Sequence, residues 1–198
     1  MVRNPIEIWY DFVAPASVLL MLEIKAARRD SEAWVLDSCI KWRALEVRPP
    51  PSPLVSLNDP EVSSLWESAI PLAQKIGVTL NPPRLVPWTR KAHELIAHAE
   101  EERRESAHSL RLAVAQAYAI KGWDIGRVDV LVKIATDHGW NRTECKAILD
   151  VDRYEAVVKG SAQEAKAASV TRPPTIVKGV KRLEGFHNRT ALRTLLGT

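Results

Sequence analysis

Sulfur is scarce in this chain: 198 residues include two cysteines, Cys39 and Cys145, in unrelated surroundings. Such a pair suits a reducing cytoplasm with two buried thiols rather than a disulfide-built scaffold. Long apolar runs are also missing. No stretch approaches the roughly 18 residues that a membrane-spanning helix needs, so no membrane partner is expected. The opening MVRNPIEIWYDF puts a proline and two acids where a secretory signal would hold its apolar segment. A concentrated basic stripe is absent too. The formal net charge is +4, but Lys and Arg are mixed with Asp and Glu along most of the chain, which argues against a nucleic-acid partner. There is no fixed-period repeat and no low-complexity tract.

The remaining composition is that of an ordinary globular protein, 46% hydrophobic and 26% charged. The length suits one domain, or one domain carrying a sizeable insertion. The seven tryptophans (Trp9, Trp34, Trp42, Trp66, Trp88, Trp123, Trp140) are scattered, as core filler would be.

Residues 6–13, β-branched and aromatic, predict a buried strand. Pro15 then opens a Leu- and Ala-rich helix, in a first turn where its missing N–H costs nothing. A second strand is predicted over Cys39–Val47, ended by the prolines at 49–51 and 53. From about Asp59 to Val151 the pattern is helical, with segments over Leu65–Ile76, Thr89–Glu105, 107–121, Val128–His138 and Arg142–Leu149. The charged run Glu100–Glu105 reads as a solvated helix face. A helix over Tyr154–Ala168, a hairpin of Thr175–Lys178 with Lys181–Leu183, and a last helix over Asn188–Leu196 complete the order. One sheet interrupted by helices explains this better than two domains, since neither end alone has enough strands to close a core.

Several separated motifs carry a family resemblance. The first strand ends in Asp11, and Ala14-Pro15-Ala16-Ser17 follows where DsbA-like proteins have Cys-Pro-x-Cys. Trp88-Thr89-Arg90-Lys91-Ala92-His93 is similar to the family's Asn-Thr-x-x-Ala-His. Pro174-Thr175-Ile176-Val177 is similar to Val-Pro-Thr-x-x, whose proline is cis, and Gly185-Phe186-His187 falls where relatives have Gly-Ala-Gln. The chain thus resembles DsbA-like proteins and the related kappa-class glutathione transferases and 2-hydroxychromene-2-carboxylate isomerases. The resemblance implies an α/β thioredoxin-like fold with a large all-helical insertion. Residues 1–57 and 152–198 would form a discontinuous thioredoxin-like domain, and 58–151 the inserted helical domain.

It also implies a site, here degenerate. In DsbA the helix N-terminus lowers the thiol pKa to about 3.5 from about 8.5, worth roughly 7 kcal/mol. Ala14 has no ionisable atom and Ser17 forms no disulfide, so thiol exchange is not expected. The ligand contacts that the resemblance implies are Asp11, Ser17, Trp88, Pro173, Pro174 and His187, with a peptide or small thiol bound at the cis proline. His187 could activate Ser17 as a base, although a helix-terminal serine and a loop histidine are the simpler reading. Trp88 could wall a cleft or simply pack. His93 and His98 lie five apart on a charged helix with no third ligand nearby, so no metal site is expected.

Three functions compete: a non-redox binder, a glutathione-dependent isomerase or transferase, and a structural module such as a homodimer. No cofactor is expected, glutathione being the one such molecule that the resemblance allows. The isomerases hold its thiolate with a first-position hydroxyl, and that position here is Ala14.

Overall fold

A computed structural model of the chain describes residues 5–29 and 40–196. Cys39, expected to open the second strand, and Trp34 lie outside the described residues.

Strand β1 (Ile6–Tyr10) is central in a four-stranded sheet ordered β2-β1-β5-β6. It runs parallel to β2 (Ile40–Ala44), with Ile8 beside Trp42, and antiparallel to β5 (Thr175–Lys178), with Ile8 beside Ile176. β6 (Lys181–Glu184) returns along β5 as the expected hairpin. A parallel pair needs a crossover, and helix α1 (Pro15–Arg29) lies in it.

The period-2 alternation of β1 sorts the two faces. Ile6 and Ile8 bury against Leu20 and Ile24 of α1, and against Leu192 and Leu195 of α8 (Arg189–Leu196). Trp9, on the other face, packs with Ala165 of α7 (Glu155–Ala167) and with Val170. Helix α1 is also apolar on a second side, where Val18, Leu19 and Met21 enter the main helical core. It joins the sheet to everything inserted between β2 and β5. Glu23, almost fully buried on α1, accepts the Arg189 N–H at 2.8 Å and so anchors the start of α8.

The inserted helices begin with α2 (Pro60–Lys75). Asp59 caps it by accepting the N–H groups of Glu61 and Val62, and Pro60 takes the first turn. The buried residues Val62, Trp66, Ala69 and Ala73 follow at helical spacing. A two-residue antiparallel pair, β3 (Val55–Ser56) with β4 (Leu85–Val86), joins the loops on either side of α2. It is too short to show any alternation, and the sequence reading has no counterpart for it.

The helix expected over Thr89–Glu105 ends early. Helix α3 spans Arg90–Glu102, Arg103 leaves the helical conformation (φ −148°, ψ 75°), and α4 runs from Arg104 to Ala119. Nor is the Glu100–Glu105 run wholly a solvated face. Glu100 pairs with Arg111, which is 1% exposed, donates to the Tyr10 hydroxyl at 3.2 Å and lies 4.8 Å from the Trp42 ring centroid. Helices α5 (Val128–Asp137) and α6 (Arg142–Asp150, capped by Asn141) close the block.

Helix α3 is a buried spine, and Glu94 on it is fully enclosed. Its carboxylate accepts the Tyr154 N–H at 3.2 Å and has Lys91 Nζ at 3.6 Å. Burial pushes its pKa up, outweighing the Lys91 charge and the Tyr154 hydrogen bond, which pull it down. The folded state therefore holds this proton more tightly than the unfolded chain does. Stability attributable to Glu94 is full below its ordinary value of 4.5 and falls as pH rises through the raised folded value. Glu94→Gln should remove that fall. Urea midpoints of the two proteins, measured from about pH 4 to pH 7, should diverge in the variant's favour as pH rises.

Candidate functional site

The end of β1, the mouth of α1 and the start of β5 meet at one end of the sheet. Trp9 pairs with Thr175, so the next step in register sets Tyr10 against Pro174. The chain leaves β1 through a turn in which Ala14 N–H donates to Asp11 O at 3.3 Å, and the Ala14 carbonyl accepts from Ser17 N at 2.9 Å. Ala14, 8% exposed, thus stands immediately before the first turn of α1, where the helix dipole favours an anion.

Asp11 and Ser17, expected as ligand contacts, are fully buried. Ser17 turns inward, its Oγ accepting the Asp11 N–H at 3.4 Å. Asp11 is a hub. One carboxylate oxygen accepts Phe12 N–H at 2.8 Å, the other accepts Val47 N–H at 2.7 Å, and His93 Nε2 lies 3.1 Å from the first. The His93 ring packs on those of Tyr10 and Phe12, with centroids 5.1 and 4.9 Å away. His93 is therefore bound to a carboxylate beneath the motif and is not paired with His98 on a shared ion. Sequence reading names both Asp11 and the Ala-His segment, but nothing in it joins them.

His187 is half-buried, with Nε2 3.1 Å from the Glu184 carbonyl. A ring nitrogen facing a carbonyl serves as a donor there, and no described contact brings His187 to Ser17. Trp88 is 39% exposed and donates its indole N–H to Ser52 O at 2.9 Å, strapping the proline-rich loop to the start of α3. Two residues on, Arg90 ties Glu46 and Glu155 at 2.7 and 2.9 Å. Val47 and Leu54, nearly half exposed, join Trp88 as apolar surface on these converging segments.

The Pro173–Pro174 bond is cis. Pro174 is buried and its carbonyl accepts Gly185 N–H at 2.8 Å, while Thr175 Oγ1 donates to Arg172 O at 2.7 Å. Pro173 has no N–H, so its backbone can accept a hydrogen bond from a ligand but cannot donate one.

The DSBA-like thioredoxin domain profile matches residues 5–196. This chain belongs to that family. The uncharacterized protein YwbO of Bacillus subtilis is 30% identical over 179 residues, covering 88% of this chain and 86% of YwbO. Among solved structures, a Streptomyces coelicolor protein described as a probable DsbA oxidoreductase superposes with a TM-score of 0.80 at 19% identity, covering 98% of this chain and 90% of that one. A 2-hydroxychromene-2-carboxylate isomerase gives 0.77 at 17%, covering 97% and 94%. At such identities these two likenesses speak for the fold.

In this DSBA-like domain Cys145 cannot stand in for the missing pair. It is fully buried on α6, and burial pushes its thiol pKa up, away from the thiolate. No helix among the described residues is long and apolar enough to cross a membrane.

Proposed function

We propose that this DSBA-like domain binds an extended peptide or a small thiol such as glutathione at the end of the sheet, beside Ala14, Pro173 and Pro174, without exchanging electrons with it. The observation that carries the reading is the mouth of α1. A methyl group occupies the place of the reactive sulfur, and the nearest hydroxyl, Ser17, is buried and turned inward. A helix terminus whose motif position, Ala14, carries no anion suits a ligand that brings one. The acceptor-only backbone at Pro173 calls for a ligand N–H, which a peptide or glutathione supplies. Val47, whose N–H binds Asp11 beneath the motif, offers exposed apolar contact nearby. The isomerase reading needs a hydroxyl at residue 14, and Ala14 has none. Asp11 and Ser17 act beneath this surface by positioning it.

The test is an amide-resolved NMR titration with reduced glutathione and with an unstructured peptide, run beside an insulin-reduction assay. Expected are shifts at Ala14, Ala16, Arg172 and Thr175, a dissociation constant of about 1 mM or tighter (about 4 kcal/mol) and insulin reduction at background. Insulin reduction above background would overturn the non-redox reading. Shifts confined to other regions, or none, would overturn the site.

A further inference from the structure

His98 lies on α3, remote in sequence from the family motifs on α1 and β5, and is 2% exposed. Its ring packs against those of Trp140 and Tyr154, each with its centroid 5.8 Å away. Nδ1 is 3.4 Å from the Tyr154 hydroxyl. Nε2 is buried without a hydrogen-bond partner and faces Glu144 Oε1 of α6 at 3.6 Å. Glu102, one turn beyond His98 on α3, brings a second carboxylate. One ligand atom from each of the three residues lies within 4.8 Å of the others.

A buried histidine nitrogen without a hydrogen-bond partner, facing one carboxylate with a second close by, leaves a place for positive charge among them. A proton is a poor fit, because a charge-assisted N–H···O bond closes to about 2.7–2.9 Å, well short of the observed gap. A metal ion fits better. Bonds of about 2.0–2.1 Å to nitrogen and 2.0–2.2 Å to oxygen, opened to a tetrahedral angle, put the two atoms about 3.4 Å apart. The tautomer agrees. The Tyr154 hydroxyl oxygen, 3.4 Å from Nδ1, can accept Nδ1–H and leave the Nε2 lone pair free. Arg103, the adjacent cation, is turned aside, with its guanidinium 4.0 Å from the Trp140 ring centroid and a hydrogen bond to Gly139 O at 3.1 Å. Both carboxylates are solvent-exposed, which gives an ion an open approach.

We propose that His98 Nε2 and one oxygen each from Glu102 and Glu144 bind a divalent transition-metal ion of the zinc class, with water completing the shell. Two carboxylates balance its charge. The ion would clamp α3 to α6 at a site separate from the α1 mouth. The expectation of no metal, drawn from His93 and His98 lacking a third partner, overlooks a ligand that α6 supplies from elsewhere in the chain.

The test is calorimetric titration of the full chain with zinc chloride near neutral pH, repeated on Glu102→Gln and Glu144→Gln. Both are surface substitutions that leave the core intact. Expected is one ion per chain, weakened at least tenfold by either change and left unaltered by Glu101→Gln. Cobalt(II) should give a visible d–d band that Glu144→Gln removes. Absence of zinc binding would overturn the proposal. So would binding that neither glutamine substitution weakens, since the ion would then sit elsewhere.

Discussion

Cysteine at both 14 and 17, in place of Ala14 and Ser17, should give this protein dithiol–disulfide activity at the mouth of α1. Positions three apart in a helical first turn have Cα atoms about 5 Å apart, inside the span of about 4.4–6.8 Å that a disulfide tolerates. The backbone that would act on the new thiol is in place, with Ala14 immediately before the first turn of the 15-residue helix α1. A thiol there should titrate at least about one unit below its ordinary 8.5 or so, giving about tenfold more thiolate near neutrality. Ser17→Cys exchanges a hydroxyl accepting from Asp11 N–H at 3.4 Å for a weaker acceptor, a cost of about 1 kcal/mol. Ala14→Cys alone should show the lowered pKa by its pH-dependent alkylation rate, yet turn over no insulin. The double variant should do both. If its thiol titrates at the ordinary value, the mouth of α1 does not act on residue 14 in this way.

Asp11→Ala should be among the most damaging single substitutions, at about 3–5 kcal/mol, because it leaves buried groups without their partner. Three elements meet on that carboxylate: the end of β1 through Phe12 N–H, the loop after β2 through Val47 N–H, and α3 through His93. All would lose an acceptor at a fully enclosed site. Asp11→Asn keeps the shape and one oxygen, so it should cost less. The exposed Arg127–Asp129 pair is a natural control: although as short at 2.8 Å, it should contribute no more than about 1 kcal/mol. Urea denaturation of the parent protein, Asp11→Ala, Asp11→Asn and the control Asp129→Ala decides the matter. A loss below about 1 kcal/mol for Asp11→Ala would show that the hub does not hold the site together.

Much of this architecture is legible in local pattern. The alternation of Ile6 and Ile8 with their neighbours, the Leu- and Ala-rich run after Pro15, and the turn at Gly179 each mark an element that the structure contains. What escapes reading is decided by residues far apart in sequence. The break at Arg103 has neither glycine nor proline to announce it; its guanidinium stacks on Trp140, from the segment between α5 and α6. Glu100 looks solvated beside its acidic neighbours until Arg111 of the next helix folds back on it. Asp11 and His93 are separated by 82 residues, and composition alone does not disclose that the aspartate faces inward. That residue 14 carries no ionisable side chain is the opposite case, plain from one letter.

The placement of β1 also sets an order of events as the chain emerges from the ribosome. Its first neighbour, β2, is made early, but Ile8 meets Ile176 only after almost the whole polypeptide has been synthesised. Until then one edge of β1 is bare, and the face carrying Ile6 and Ile8 lacks its cover from Leu192 and Leu195. The helices between β2 and β5 rest largely on nearby partners, such as α3 on α4 and α5 on α6, and can consolidate first. A nascent chain halted before residue 175 would therefore be a helical cluster trailing an unpaired, sticky strand, the form most exposed to aggregation and chaperone capture.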